Sequence, residues 1–271
     1  MCRWAAYRGE PLYLEELVTS PAHSLIEQSH HANRAKTPTN GDGFGIAWYG
    51  ERPEPGRYRD ILPAWADCNL KSLARQIRSP LFLAHVRAAT GGGTRRDNCH
   101  PFVHENWSFM HNGQIGDFER VRRPMETMLN DDLYGARHGT TDSELIFLLA
   151  FHFGLREDPI GAMTETLSFI ERLSWNLTGS ALVRFTAAFS DGKSLYAIRY
   201  ATDRKAPTLY AAPMGRNGGY CLVSEPLNDD IDSWVEIPDG SAVAISEDGL
   251  DLVLFQPGAA SRKDRFAGTA V

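Results

Sequence analysis

Five residues of this sequence are of the types that an acyl-transfer site requires: Cys2, Arg87, Asn112, Gly113 and Asp142. Cys2 follows Met1, and initiator-methionine trimming, which favours a small second residue, leaves a thiol and a free α-amine on one residue. The amine, with an ordinary pKa of about 7.7–8.0 against about 8.5 for the thiol, is a base that accepts the thiol proton directly or through a water. Asn112 offers a side-chain N–H and Gly113 a backbone N–H, a pair suited to an oxyanion hole in which one donor is worth about 10²–10³ in rate. Arg87 can pair bidentately with a carboxylate and Asp142 can hold an ammonium. Together they would recognise the backbone end of an amino acid and leave its far end to react.

The elements that must position these residues are legible in outline. An apolar strand over 80–87 carries Arg87 into a glycine-rich loop, 88–93, and arginine is rarely buried without an anionic partner. A second strand over 107–113 ends at the Asn112-Gly113 step, a strong turn signal, and 115–121 reads as helical. Thr140-Thr141-Asp142-Ser143-Glu144 opens a helix over 145–153, and Pro159 precedes another over 160–173. Shorter helical patterns cover 12–18, 20–29 and 70–77. The glycines of Asn40-Gly41-Asp42-Gly43-Phe44-Gly45 run into a strand; a phosphate-binding fingerprint needs the reverse order, so they read as a turn that permits close packing. Strands follow at 181–189, 195–200, 208–212, 220–224, 234–237, 241–245 and 252–255. Two strand groups with helices between them predict an α+β fold, a sheet-on-sheet core covered by helices, in one domain over 2–257 with an exposed tail over 258–271.

Composition narrows the function classes. A net charge of −6 with no Lys/Arg block argues against a nucleic-acid or membrane-surface partner, and no apolar run reaches the length of a membrane span. Cys2, Cys68, Cys99 and Cys221 form no C-x-x-C pair, which fits a reducing cytoplasm. His30-His31 and the group Cys99, His100 and His104 each lack the further ligands that a zinc site needs, so neither metal nor cofactor is expected.

The start Met1-Cys2-Arg3 is followed by His85-Val86-Arg87-Ala88-Ala89-Thr90, Asn98-Cys99-His100-Pro101, His111-Asn112-Gly113 and Thr141-Asp142-Ser143-Glu144. In order and spacing these stretches resemble the class II glutamine amidotransferases, a branch of the N-terminal-nucleophile hydrolases. The resemblance covers about residues 2 to 150 and implies a four-layer αββα sandwich. It also implies Cys2 as nucleophile, Asn112 and Gly113 as oxyanion hole, Arg87 at the glutamine α-carboxylate, Asp142 at the α-ammonium and Thr90 lining the pocket. Pro21-Ala22-His23-Ser24-Leu25, the 40–45 stretch and Ser224-Glu225-Pro226-Leu227 are similar to the family's stand-alone members. The synthase-linked members have Arg-Gly-Tyr-Asp where this chain has Thr39-Asn40-Gly41-Asp42.

The expected activity is therefore hydrolysis of a γ-glutamyl amide, in glutamine or another γ-glutamyl small molecule, by way of a thioester on Cys2. Two arrangements are open: a protein partner that accepts the ammonia or completes the hydrolase, or a γ-glutamyl compound hydrolysed outright. The alternative from another class is a non-catalytic γ-glutamyl-binding or regulatory subunit, which retention of Met1 on the amine would favour. A papain-like hydrolase with His85 or His100 as base leaves Arg87 and Asp142 without a role.

Overall fold

The computed structural model describes residues 2–30, 39–89, 93–215 and 218–258. Met1, His31, Thr90 and residues 259–271 of the expected tail lie outside the described residues. In chain order the strands are β1 (Arg3–Tyr13), β2 (Phe44–Trp48), β3 (Gly56–Asp60), β4 (Arg78–Val86), β5 (Phe102–His104), β6 (Trp107–Ile115) and β7 (Val183–Ser190). They continue with β8 (Leu195–Ala201), β9 (Tyr210–Met214), β10 (Gly219–Val223), β11 (Val235–Glu236), β12 (Ser241–Ser246) and β13 (Gly249–Leu254). The helices are α1 (Glu15–Val18), α2 (Leu25–His30), α3 (Cys68–Gln76), α4 (Phe118–Glu126), α5 (Asp131–Gly135), α6 (Asp142–His152) and α7 (Pro159–Thr178).

Among the described residues every strand pairing is antiparallel, in two sheets ordered β11-β9-β10-β1-β4-β2-β3 and β13-β12-β8-β7-β6-β5. Side chains alternate across a strand, so each sheet has two faces to bury. In β1, Trp4 and Ala6 face the other sheet, with Leu81, Leu83, Met110, Ala188 and Val243. Ala5 and Tyr7 face outward and pack with Phe44, Phe82 and the apolar stripes of α1, α2 and α3. In the second sheet Phe109, Phe185 and Phe189 face outward under α4, α6 and α7. Three apolar interfaces thus separate four layers, αββα, as the sequence predicts. Helix α6 is buried over 143–151 because β6, α4 and α7 surround it, which accounts for its apolar character on all sides. Among the described residues no helix is long and apolar enough to cross a membrane.

Local readings differ in three places. The 12–18 pattern is not one helix: β1 runs on to Tyr13, because Leu12 and Tyr13 pair with Ser79 and Arg78 of β4, and only Glu15–Val18 is helical. The strand at Asn112-Gly113 does not turn there but continues to Ile115, paired with β7 throughout, and the following helix starts at Phe118. Residues Gly56–Asp60 form an edge strand that pairs with β2, although their charged sequence carries little strand signal.

Tyr49, which follows β2, ties the sheets together. Its hydroxyl lies 2.9 Å from Ser108 Oγ of β6, from the Ser190 carbonyl of β7 and from the Asn106 carbonyl. Replacing it, Tyr49→Phe, leaves buried acceptors without their donor and should cost about 1–3 kcal/mol. Equilibrium denaturation would show this as a lower midpoint with an unchanged slope.

Candidate active site

Strand pairing places Cys2 at the meeting point of three segments. Arg3 is opposite Val86 in the β1–β4 register, which brings Cys2 beside the loop that leaves β4. The Cys2 thiol lies 3.4 Å from the Ala88 carbonyl oxygen, and the Ala88 N–H donates to Sγ at 3.3 Å. Asn112 Nδ2 of β6 donates to the Cys2 carbonyl at 2.8 Å, and Arg3 Nη1 donates to the same oxygen at 3.1 Å. Arg3 is itself gripped in a buried bidentate pair with Glu225, Nε to Oε2 at 2.6 Å and Nη2 to Oε1 at 3.1 Å. Removing one member of such a pair strands a buried charge at a cost of about 3–5 kcal/mol. Ser224 secures the next residue, its Oγ accepting the Trp4 N–H at 2.9 Å.

Burial pushes the Cys2 thiol up from its ordinary value, against the lowering effects of the Ala88 N–H and of the Arg87 and Arg3 charges. Cys2 therefore rests as a thiol, and a nucleophilic role needs a base at hand.

Arg87 is 4% exposed and is held by the glycine-rich loop before β2. The Arg87 N–H donates to the Gly43 carbonyl at 2.8 Å, the Asp42 N–H to the Arg87 carbonyl at 3.0 Å, and the Ala89 N–H to Asp42 Oδ2 at 2.8 Å. One contact of the guanidinium is Nη1 to the Asp42 carbonyl at 3.4 Å. Gly43 has φ +112°, and a Cβ there would meet Cys99 Sγ at 2.6 Å and the Asp60 carbonyl at 2.8 Å, so only glycine fits. The 40–45 stretch thus braces Arg87.

At the far end of β6 the register sets which backbone groups are available. The Gly116 N–H bonds to the Leu182 carbonyl of the segment leading into β7, while the Val183 carbonyl turns to Thr202 beside β8. Antiparallel pairs alternate between bonded and non-bonded. Gly113, opposite Phe185, falls on a non-bonded pair, so its N–H points away from β7, past the end of β5 at a position exposed to solvent. Two residues on, the Ile115 N–H is taken by Asp142 Oδ2 at 2.9 Å, and Asp142 Oδ1 accepts the Ser143 N–H at 2.8 Å. Thr141 caps α6 by accepting the Glu144 N–H. Asp142 is thereby fixed to β6 two residues beyond Gly113. A Cβ at Gly113 would collide with the Arg184 carbonyl oxygen and the His111 ring, so Gly113→Ala should displace the end of β6 and reduce activity by at least the 10²–10³ assigned to one donor. Steady-state kinetics of the folded variant would check this.

Sequence reasoning brought together Cys2, Arg87, Asn112, Gly113 and Asp142 but missed the residues that hold them. Those are Arg3 with Glu225, Ser224, and three buried histidines. His111 Nδ1 lies 2.9 Å from Ser143 Oγ and Nε2 lies 3.3 Å from the Arg184 carbonyl, which can only accept, so Nε2 carries the proton. His85 and His100 stack with ring centroids 4.3 Å apart. Burial holds all three below the usual histidine value, His85 down to about 3. The unfolded chain therefore binds more protons than the folded one below about 6.5, and stability falls as the pH drops from there toward 3. Between pH 7 and 5, His85 should account for roughly 2 kcal/mol of lost stability. Denaturation midpoints across that range should fall less steeply in His85→Phe.

Comparison with known proteins sets this geometry in context. The family model described as glutamine amidotransferases class-II matches residues 16–218. The probable glutamine amidotransferase DUG3 of Saccharomyces cerevisiae is 32% identical over 93% of this chain and 84% of its own. The gamma-glutamyl-hercynylcysteine sulfoxide hydrolase of Mycolicibacterium smegmatis is 30% identical over 91% of this chain and 96% of its own. A solved glutamine aminotransferase class-II domain protein from Silicibacter pomeroyi superposes with a TM-score of 0.77 at 40% identity, covering 94% of this chain and 99% of that one.

Proposed function

This chain belongs to the class II glutamine amidotransferases, and we propose that it cleaves a γ-glutamyl amide through a γ-glutamyl thioester on Cys2. The observation that supports this most is the direct bond from Asn112 Nδ2 to the Cys2 carbonyl, with the exposed Gly113 following in the same strand. It supports reading Asn112 and Gly113 as an oxyanion donor pair beside a thiol whose own α-amine can serve as base.

Once Met1 is removed, the Cys2 α-amine takes the thiol proton as Sγ attacks the γ-carbonyl carbon. The second N–H of Asn112 and the Gly113 N–H receive the charge that develops on the oxygen. The protonated amine then gives its proton to the departing nitrogen, the C–N bond breaks, and a thioester remains. Water, deprotonated by the same amine, attacks the thioester and releases glutamate with the thiol restored. Arg87 binds the α-carboxylate and Asp142 the α-ammonium, so that only a γ-linked acyl group reaches Sγ. Thr90 would line the same pocket.

The relatives span a named glutamine amidotransferase and a named γ-glutamyl hydrolase, so the substrate is glutamine or another γ-glutamyl small molecule. A separate protein would receive the ammonia or complete the hydrolase. The four free cysteines suit a reducing cytoplasm.

Cys2→Ala should abolish γ-glutamyl hydrolysis while leaving the denaturation midpoint near wild type. Asn112→Ala should lower kcat about 10²–10³-fold, and Arg87→Lys, which loses the bidentate fork, should act chiefly on KM. Intact mass after treatment with a glutamine-like diazo-ketone should show one adduct on a chain without Met1. Full turnover by the Cys2→Ala protein overturns this function, and Met1 in place with no adduct would instead indicate binding without chemistry.

A further inference from the structure

Asn112 has two amide hydrogens and one carbonyl oxygen to place. The Cys2 carbonyl only accepts, so the atom 2.8 Å from it is Nδ2, and this fixes which way round the amide sits. Oδ1 therefore faces away from Cys2, buried and without a hydrogen-bond partner among the described residues. His85 is in the same condition, 1% exposed with neither ring nitrogen paired. Buried polar atoms of native proteins rarely stay unpaired, and these two groups, with the likewise unpaired His100 ring stacked on His85, call for an account.

The strands set the two side chains against each other. Leu81 and Leu83 lie on the inner face of β4, and His85 continues that row. Met110 lies on the inner face of β6, and Asn112 continues that one. The Asn112 side chain also lies near enough to the His85 ring to raise its pKa, against the larger lowering effect of burial.

We propose that His85 is a positioning residue whose ring N–H donates to Asn112 Oδ1 and so keeps the Asn112 amide turned with Nδ2 toward Cys2 and the oxyanion. This rests on the reading of Asn112 as an oxyanion donor. An amide turned over would aim an acceptor both at the Cys2 carbonyl and at the developing negative charge, replacing two attractions by two repulsions. The stack fixes the donor in turn: His100 lies against His85 at an interplanar angle of 31°, and Phe102 meets His100 edge-on at 4.7 Å. Both imidazoles are neutral, so His85 carries a single N–H, and Asn112 Oδ1 decides which ring nitrogen bears it.

The test compares His85→Phe, which keeps an aromatic ring but no donor, with His85→Gln, which keeps an N–H. His85→Phe should lower kcat about 10–100-fold with KM within about twofold, and His85→Gln should recover most of the loss. His85→Met serves as the donor-free variant if the phenyl ring is not accommodated. In an Asn112→Ala background the same His85 change should cost nothing further, because its effect runs through the missing amide. Wild-type kcat in the donor-free variant, no recovery by glutamine, or a full additive loss in the Asn112→Ala background each overturn the positioning role. Undiminished kcat in Asn112→Ala alone would overturn the oxyanion reading itself, whatever His85 does.

Discussion

The hydrogen bond from Asn112 Nδ2 to the Cys2 carbonyl joins the two sheets at the point where chemistry is proposed. Cys2 leads into β1 of one sheet, and Asn112 lies on β6 of the other. Neither sheet holds a site alone. The distance between them is set by what fills the inner faces, and around this region the inner side chains include Ala6, Ala188, Ala197 and Ala211 beside larger groups such as Trp4 and Met110. Interiors pack to crystal-like density, so a change of a few methylenes there would move the Asn112 amide relative to Cys2 as surely as a change in the site.

Around that bond, each group of the site is held by backbone from elsewhere in the chain. Arg87 is bracketed by Asp42 and Gly43, Asp142 by Ile115 and Ser143, and Cys2 by Arg3, which Glu225 anchors. Preorganised donors and charges of this kind need no rearrangement as the reaction proceeds. His85 and His100 extend the same logic: kept neutral by desolvation and stacked on one another, they add no charge near Arg87.

The residues of the candidate site were legible because their types are informative without coordinates. An arginine at the end of an apolar strand, an Asn-Gly step and an acid in the first turn of a helix each ask for a partner. Their supports were not legible, because support depends on register. That His85 faces Asn112 follows from β4 and β6 lying across from each other, which no local pattern encodes. The Asn112-Gly113 step read as a turn on its own chemistry, yet β7 pairs with both residues and carries the strand onward. Leu12 and Tyr13 carried helical spacing, and pairing with β4 overrode it. The four-layer order was more secure, since two strand groups with helices between them leave few ways to bury both faces of each sheet.

The central place of β1 has a kinetic meaning. Within a seven-stranded sheet it is flanked by β10 and β4, and over Arg3–Tyr7 its outward and inward faces are both buried. Segments of that kind open to solvent only with the whole molecule, whereas edges and loops open locally. Cys2 leads directly into this segment, so the proposed nucleophile is mounted next to a part of the protein expected to be among the slowest to exchange with solvent. Edges and loops can open locally without loosening the mounting of the proposed nucleophile.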